Sequence, residues 1–296
     1  MKKISPQDLS TGEFYGYLIS AVAPRPVAFA STVDKQGNVN LSPYSFFNCF
    51  SANPPVLVFS PTSRARDNTN KHTLENVLEV DEVVINIANY PMVEQMSLSS
   101  AEYAKDVNEF VKAGFTQETS ELVKPPRVKE SPVAFECKVT QVVKLGNEGG
   151  AGNLVVCEVL MMHVNEEILD EKGKIDPFKM DYISRMGGNL YCRVIPESII
   201  SVPRPNRDLG MGVDQIPEHI RNSEVLTGNN LGRLGNVHQL PSTAEVEAFK
   251  SDPAIQDLFK RFQNDRDSLE YHLHQLAQQY LRDDEVEKAW KVLLQI

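Results

Sequence analysis

Val27-Ala28-Phe29-Ala30-Ser31-Thr32-Val33, followed by Asp34-Lys35-Gln36-Gly37-Asn38, is the stretch from which the fold of this chain is read. Its first half is apolar and β-branched and its second half is turn chemistry, so it predicts one strand and the turn of a hairpin. Working outward, the return strand runs from Val39 to Phe50. After Asn53-Pro54-Pro55, the almost wholly apolar Val56-Leu57-Val58-Phe59-Ser60 predicts a third, buried strand. Residues 70–80 change to helical spacing, with Leu74, Val77 and Leu78 at i, i+3 and i+4, and Val83–Ala88 returns to strand. Pro91–Ala104 reads as helix. Val133–Leu145, Asn153–Val164 and Asn189–Arg193 read as strands, the first two joined by the glycine-rich turn Gly146–Gly152. Many short strands with few intervening helices predict a mainly β (α+β) barrel or sandwich and not a doubly wound parallel sheet.

The character of the chain changes near residue 200. Residues 201–242 repeat Pro, Gly and Asn with little periodicity and predict an extended arm. Beyond it Leu269, Leu273 and Leu276 fall at i, i+4 and i+7, and Tyr280 and Leu281 continue the stripe of one amphipathic helix. Asp283-Asp284 then read as the cap of a last short helix that ends in Trp290, Val292, Leu293 and Leu294. The expected organisation is a principal domain over residues 1–202, an arm over 203–242 and a helical appendage over 243–296.

The 296 residues carry 30 basic and 40 acidic side chains, a net charge of −10, which disfavours nucleic acid and anionic lipid as partners. No apolar run approaches the roughly 18 residues of a membrane span, and no apolar segment follows the basic start Met1-Lys2-Lys3, so a cytoplasmic location is expected. Cys49, Cys137, Cys157 and Cys192 are too widely spaced for a redox pair or zinc ribbon and read as reduced and structural. His272 and His274, two apart on a helix, point to different faces, and no metal site is expected. Dinucleotide, NTPase and hydrolase signatures are missing.

Three segments hold the residue types of a binding site. Asn40-Leu41-Ser42-Pro43-Tyr44-Ser45-Phe46-Phe47-Asn48 mixes hydroxyls, aromatics and an amide on one strand, which suits a flat heteroaromatic ring and equally an edge strand facing water. Ser60 to Thr73 leaves a buried strand and enters a helix with Arg64, Arg66 and Lys71. It suits a phosphomonoester, or a solvated loop capped by Asn70 or Thr73. Arg185-Met186-Gly187-Gly188-Asn189-Leu190-Tyr191 admits a ligand close to its backbone or is a plain turn.

The ordered series Pro24-Arg25-Pro26-Val27, Ser31-Thr32, Gly37, Asn40 to Asn48 and Asn53-Pro54-Pro55 resembles the flavin reductase-like, FMN-binding split-barrel family. Its nearest likeness is the branch that contains the reductase component of nitrilotriacetate monooxygenase. Lys71-His72-Thr73-Leu74-Glu75-Asn76, Val155-Val156-Cys157-Glu158-Val159 and Arg185 to Tyr191 extend the match over residues 15–200. The resemblance implies a six-stranded Greek-key split β-barrel forming a homodimer. FMN, rather than FAD, would lie with its ring along Ser42, Pro43, Tyr44, Ser45, Asn48 and Cys49. Its phosphate would lie near Ser60, Arg64, Lys71 and Thr73, with Arg185 and Gly188 also against the cofactor. The implied activity is hydride transfer from NADH or NADPH to the flavin with no catalytic side chain, since the flavin carries the chemistry. A flavin-accepting monooxygenase is the implied partner. The alternatives are a non-catalytic FMN-binding module that docks a partner protein and a reductase of another acceptor such as ferric chelates. Where short reductases of the family carry Gly-Asp-His, this chain has Gly152-Asn153-Leu154.

Overall fold

A computed structural model describes residues 1–204 and 209–296 of the chain. It falls into two compact units, Met1–Ile200 and Ser201–Ile296. The first unit is mixed α+β around one large antiparallel sheet.

Strand β1 (Ala28–Val33) pairs with β2 (Val39–Tyr44) in the register Ala28↔Tyr44 to Val33↔Val39. The intervening turn is held by Asp34, whose Oδ1 accepts the amides of Gln36 and Asn38 at 2.9 Å each. Gly37 sits there at φ +89°, a conformation L side chains rarely adopt. The expected return strand Val39–Phe50 is in fact two strands. A bend at Ser45 and Phe46 separates β2 from β3 (Phe47–Ala52), which pairs with β4 (Pro55–Phe59). The amide of Ser60 donates to the Phe46 carbonyl at 2.8 Å and fixes the bend.

Helix α1 (Thr11–Ala21) precedes the sheet, and α2 (His72–Glu79), β5 (Glu82–Ile87), α3 (Val93–Leu98) and α4 (Glu109–Ala113) follow β4. After the two-residue strands β6 (Gln117–Glu118) and β7 (Arg127–Val128) come the long strands β8 (Val133–Lys144) and β9 (Asn153–Val164), then the short pair β10 (Ile183–Arg185) and β11 (Tyr191–Arg193). The sheet order is β2-β1-β5-β8-β9-β4-β3, seven strands where six were expected, because the bend counts one strand twice. The two edges, β2 and β3, do not pair with each other. They are consecutive in the chain, so the sheet is curled by its own backbone without hydrogen-bonded closure.

All six residues of β1 are buried. Ala28 and Ala30 face the interior cluster with Tyr44, Phe59, Ile85 and Cys157, while Phe29 packs with Leu41, Met92, Met96 and Phe110 beneath α3 and α4. The sequence does not mark α1, α4, β6, β7 or β10, whereas β11 falls within the expected strand Asn189–Arg193. α1 has a capping box between Ser10 and Glu13, but its sequence lacks a buried stripe, and none of its residues is buried. Pro91–Ala104 is helical only over α3, with a 3-10 turn at Tyr90–Met92 before it. α2 begins after Lys71 with no side-chain cap, so neither Asn70 nor Thr73 caps it. Cys137 and Cys157 are buried free thiols, and burial pushes Cys137 up to about 12. Cys49 is exposed on β3 and is not a packing residue.

The second unit corrects the expected arm, of which residues 205–208 lie outside the described residues. The rest holds α5 (Glu218–Arg221) and α6 (Gly228–Gly235). Ile216, Ile220, Leu226 and Leu234 join one core with residues of α9 (Arg266–Arg282) and α10 (Val286–Leu293). α5 and α6 are each too short to show a period, so turn residues dominate the sequence there. Between α6 and α9 lie α7 (Thr243–Phe249) and α8 (Pro253–Arg261). Trp290 Nε1 donates to the Leu234 carbonyl at 3.2 Å. Asp283 and Asp284 do not cap α10: Glu285 is its N-cap, and Asp284, at φ +63°, pairs with Arg233. His274 is buried, whereas His272 stacks on Phe262 at 4.3 Å.

A fully buried carboxylate ties β8 to its surroundings. Glu136 accepts the amides of Glu121 (2.8 Å) and Leu122 (2.6 Å) and contacts His163 Nε2 at 2.7 Å. Burial opposes its charge, but these partners outweigh burial and hold the carboxyl below its ordinary value. A carboxyl depressed in the folded state stabilises fully above its unfolded pKa, about 4.3, and loses that contribution as pH falls through the folded value. Denaturant midpoints measured against pH should therefore fall on the acid side, and Glu136→Gln should flatten that limb. An unaltered acid limb in the variant would remove Glu136 from the account.

Candidate functional site

The bend between β2 and β3 opens an apolar cavity of about 320 Å³. Pro24, Pro26, Phe46, Phe47, Phe50 and Leu154 supply its apolar walls, and Ser45, Asn48 and Ser60 its polar groups. Its charged group is Arg25, only 6% exposed. Arg25 Nη1 donates to the carbonyls of Ile19 and Val22 at the end of α1, and Nη2 donates to that of Met186 at 3.0 Å. The guanidinium lies 5.9 Å from the Phe46 ring centre, and its buried Nε has no partner. Burial, reinforced by Arg185, pulls its pKa below the ordinary value against the opposing influence of Tyr15.

Along β2, before the bend, is a small polar notch of about 30 Å³, lined by Ser42, Arg64, Lys71 and Thr73. Lys71 Nζ stands 5.5 Å over the Tyr44 ring, and burial together with Arg64 lowers its pKa. Arg64 is engaged: it donates to Thr69 Oγ1 at 3.0 Å and to the Asn70 carbonyl, and pairs with Glu102 at 3.4 Å. Beneath the notch runs a buried chain. Tyr44 donates its hydroxyl to Thr73 Oγ1 (2.8 Å), Thr73 donates to Asn40 Oδ1 (2.6 Å), and Asn40 Nδ2 donates to Glu109 (3.0 Å). Glu109 also accepts the Leu41 amide at 3.0 Å, yet burial raises its pKa despite these bonds.

A third cavity, about 500 Å³, is lined by Ser97, Ser100, Arg185 and Arg193 with Tyr90 and Tyr191. The Arg185 guanidinium lies 4.5 Å from the Tyr191 ring, and that of Arg193 lies 3.7 Å from the Tyr90 ring. Arg193 is already paired with Asp181 at 2.7 Å.

The structure thus sorts the residues that the sequence singles out. Ser45, Asn48 and Ser60 line the apolar cavity, whereas Ser42, Tyr44, Arg64, Lys71 and Thr73 line the notch. Ser60 is therefore not grouped with Arg64 and Lys71; its Oγ accepts the Asn153 amide at 3.1 Å, and Asn153 Nδ2 donates to the Pro61 carbonyl at 3.0 Å. Pro43 sits opposite Phe29 in the β1–β2 pairing. Cys49 is exposed, its amide donating to Asn48 Oδ1 at 2.8 Å. Arg185 lies in the third cavity and donates to the Gly188 carbonyl at 2.6 Å, with Gly188 at φ +57°. Arg25, Glu109 and Leu154 were missed as site residues. Arg25 stands inside a recognisable Pro-Arg-Pro, but only the fold reveals that its charge is buried.

Residues 20–183 match the flavin reductase like domain, more than half of the chain, and the protein belongs to that family. An uncharacterized protein of Aquifex aeolicus is 39% identical over 188 residues, 64% of this chain and 93% of that protein. Among solved structures, nitrilotriacetate monooxygenase component B of Bacillus cereus has 31% identity and a TM-score of 0.62. The match covers 66% of this chain and 96% of the other. The 2-nitrobenzoate 2-nitroreductase of Pseudomonas fluorescens has 27% identity and a TM-score of 0.61, covering 68% and 96%. The large antiparallel sheet is thus that of the split-barrel flavin reductases, unclosed as described above.

Because Thr73 both donates and accepts within the protein, Thr73→Val should leave the Tyr44 hydroxyl and the Asn40 carbonyl unpaired, destabilising the chain by about 1–3 kcal/mol. Urea denaturation checks this, and an unchanged midpoint would show that the chain of bonds is not structural.

Proposed function

We propose that the protein is an FMN-dependent oxidoreductase of flavin reductase type, accepting reducing equivalents from NADH or NADPH. The observation that carries this reading is the spacing of two unlike sites on one strand segment. Ser42 lines the cationic notch and Ser45 the apolar cavity, three residues apart, hence roughly 10 Å along an extended chain. A flat ring joined to a phosphomonoester by a ribityl chain fits that arrangement, and the donor set matches both ends. When bound, FMN supplies hydride acceptance and two-electron storage.

The residues would bind and orient. Phe46, Phe47 and Leu154 would cover the ring and keep water from it, and Ser45 and Asn48 would meet its polar edge. Lys71 and Ser42 would hold the phosphate over a floor made rigid by Thr73, Asn40 and Glu109. Arg64 would contribute by leaving Glu102, so its share should be smaller than that of Lys71. Met186, between Arg185 and Gly188, would enter through its carbonyl bond to Arg25. Leu154 places an apolar side chain where short reductases of the family have histidine, which favours a second reading: a flavin-holding module with slow nicotinamide oxidation.

Lys71→Ala should weaken FMN binding by about 1–3 kcal/mol, the worth of a charge-assisted contact, and Arg64→Ala by less. Calorimetric titration checks both, and unaltered affinity in both would remove the phosphate from the notch. Anaerobic NADH or NADPH should bleach the bound flavin; flavin that binds and resists both nicotinamides would establish the second reading.

The reading includes a homodimer, with a monooxygenase as the flavin acceptor. It is supported by one face of β9, where Leu154, Val156, Leu160 and Met162 alternate, broken by Glu158, and the last two are exposed. Phe50 on β3 is 69% exposed. Apolar rows of this kind on a sheet face suit a second copy of the chain. Leu160→Glu with Met162→Glu should shift sedimentation from dimer to monomer; an unshifted dimer would place the interface elsewhere.

A further inference from the structure

We infer that Arg25 is the electrostatic element of the apolar cavity, a fixed cation that favours the anionic reduced form of a bound flavin over its oxidised form. The inference rests on the flavin reading above and adds a role to a residue which that reading does not otherwise require.

A buried cation without an anionic partner is unfavourable by several kcal/mol, and proteins usually pair it. Among the described residues Arg25 has no carboxylate within ion-pair distance. What holds it is weaker and one-sided: the Ile19 and Val22 carbonyls, at the negative end of α1, and the Met186 carbonyl. One face of the guanidinium is thereby fixed while its Nε stays buried and unsatisfied, and the residue lines the cavity beside Phe46. A clamp joining α1 to the loop after β10 could be built by three neutral donors. A full positive charge fixed at the wall of an apolar cavity suits a ligand whose negative charge appears there.

Flavin reduction creates such a charge. Two electrons and one proton convert oxidised FMN to its anionic reduced form; the proton goes to N5, while N1 stays unprotonated and shares the charge with the C2 carbonyl. Charge near these atoms is a recognised means by which a protein tunes the cofactor, and low polarity strengthens the effect. The other ionisable groups that act on Arg25 are Tyr15 of α1 and Arg185 of β10. Neither is an acid that would neutralise it at neutral pH.

The experiment is a potentiometric titration of the full chain loaded with FMN, with dithionite as electron donor and a reference dye, from neutral into mildly acidic solution. One proton per two electrons gives the wild type a slope of about 30 mV per pH unit, tenfold in proton concentration for a two-electron couple. Arg25→Met should bind oxidised FMN within a few-fold of wild type but reduced FMN at least tenfold more weakly, a potential lower by about 30 mV or more. Arg25→Lys, which keeps the charge, should recover most of the difference. A wild-type slope of about 59 mV per pH unit, meaning two protons and a neutral reduced flavin, would overturn the inference. So would an unchanged potential in flavin-loaded Arg25→Met, or equal losses in the Met and Lys variants. If the Met variant does not fold, the wild-type slope and the Lys variant decide. Failure of the wild type to bind FMN at all would refute the flavin reading instead.

Discussion

The Ser60 amide donated to the Phe46 carbonyl holds the two-residue bend that separates β2 from β3, and the arrangement of the first unit follows from it. A straight strand from Val39 to Ala52 would stay on one side of the sheet. The bend instead sends the chain from the β1 edge to the β4 edge, so that one backbone segment supplies both ends of a seven-stranded sheet and curls it. At the corner the ladder cannot continue. Side chains of Ser45, Phe46 and Phe47 are left around an apolar space, with Arg25 brought to its wall by reciprocal backbone bonds to Arg185 at 2.9 and 2.7 Å.

Charge is distributed around this corner in a way that ordinary stability does not explain. The chain carries a net −10, yet Arg25 is buried at the apolar cavity and Lys71 is half-buried at the notch. Burial lowers the pKa of each, so folding works against both charges. Glu109, buried below the notch, is shifted towards its neutral form by the same desolvation. An anionic ligand would offset the unfavourable burial of both cations at once, and each cation gives its end of the corner an attraction for negative charge that a strongly acidic protein otherwise lacks. The floor of hydrogen bonds from Tyr44 to Glu109 keeps the notch from collapsing onto its own side chains.

Much of the sheet was legible because its strands alternate or run apolar between strong turn signals. Asp34 to Asn38 makes the turn its residues imply, and β8 and β9 fall within a residue of the expected bounds. The bend was not legible, since Ser45 and Phe46 carry no Gly or Pro and are set there by the contact from Ser60, at the end of the neighbouring strand β4. The helices of residues 213–235 were hidden for the opposite reason: turn residues are dense, and the apolar partners of Ile216 and Leu234 lie on α9 and α10. At the site, residue type identified the two segments but not which side chains are free. Thr73 and Ser60 look like ligand hydroxyls in the sequence and are bonded inside the protein, while Arg25 stands in the sequence only as part of the Pro-Arg-Pro motif and proves to be a buried cation.

The central claim is that the corner formed by the bend holds a flavin. The most direct test is the electron density of a crystal grown with FMN. The account predicts the ring between Phe46 and Leu154, with the phosphate against Lys71. Density for FMN in the cavity of Arg185 and Arg193, with the corner left to solvent, would contradict it.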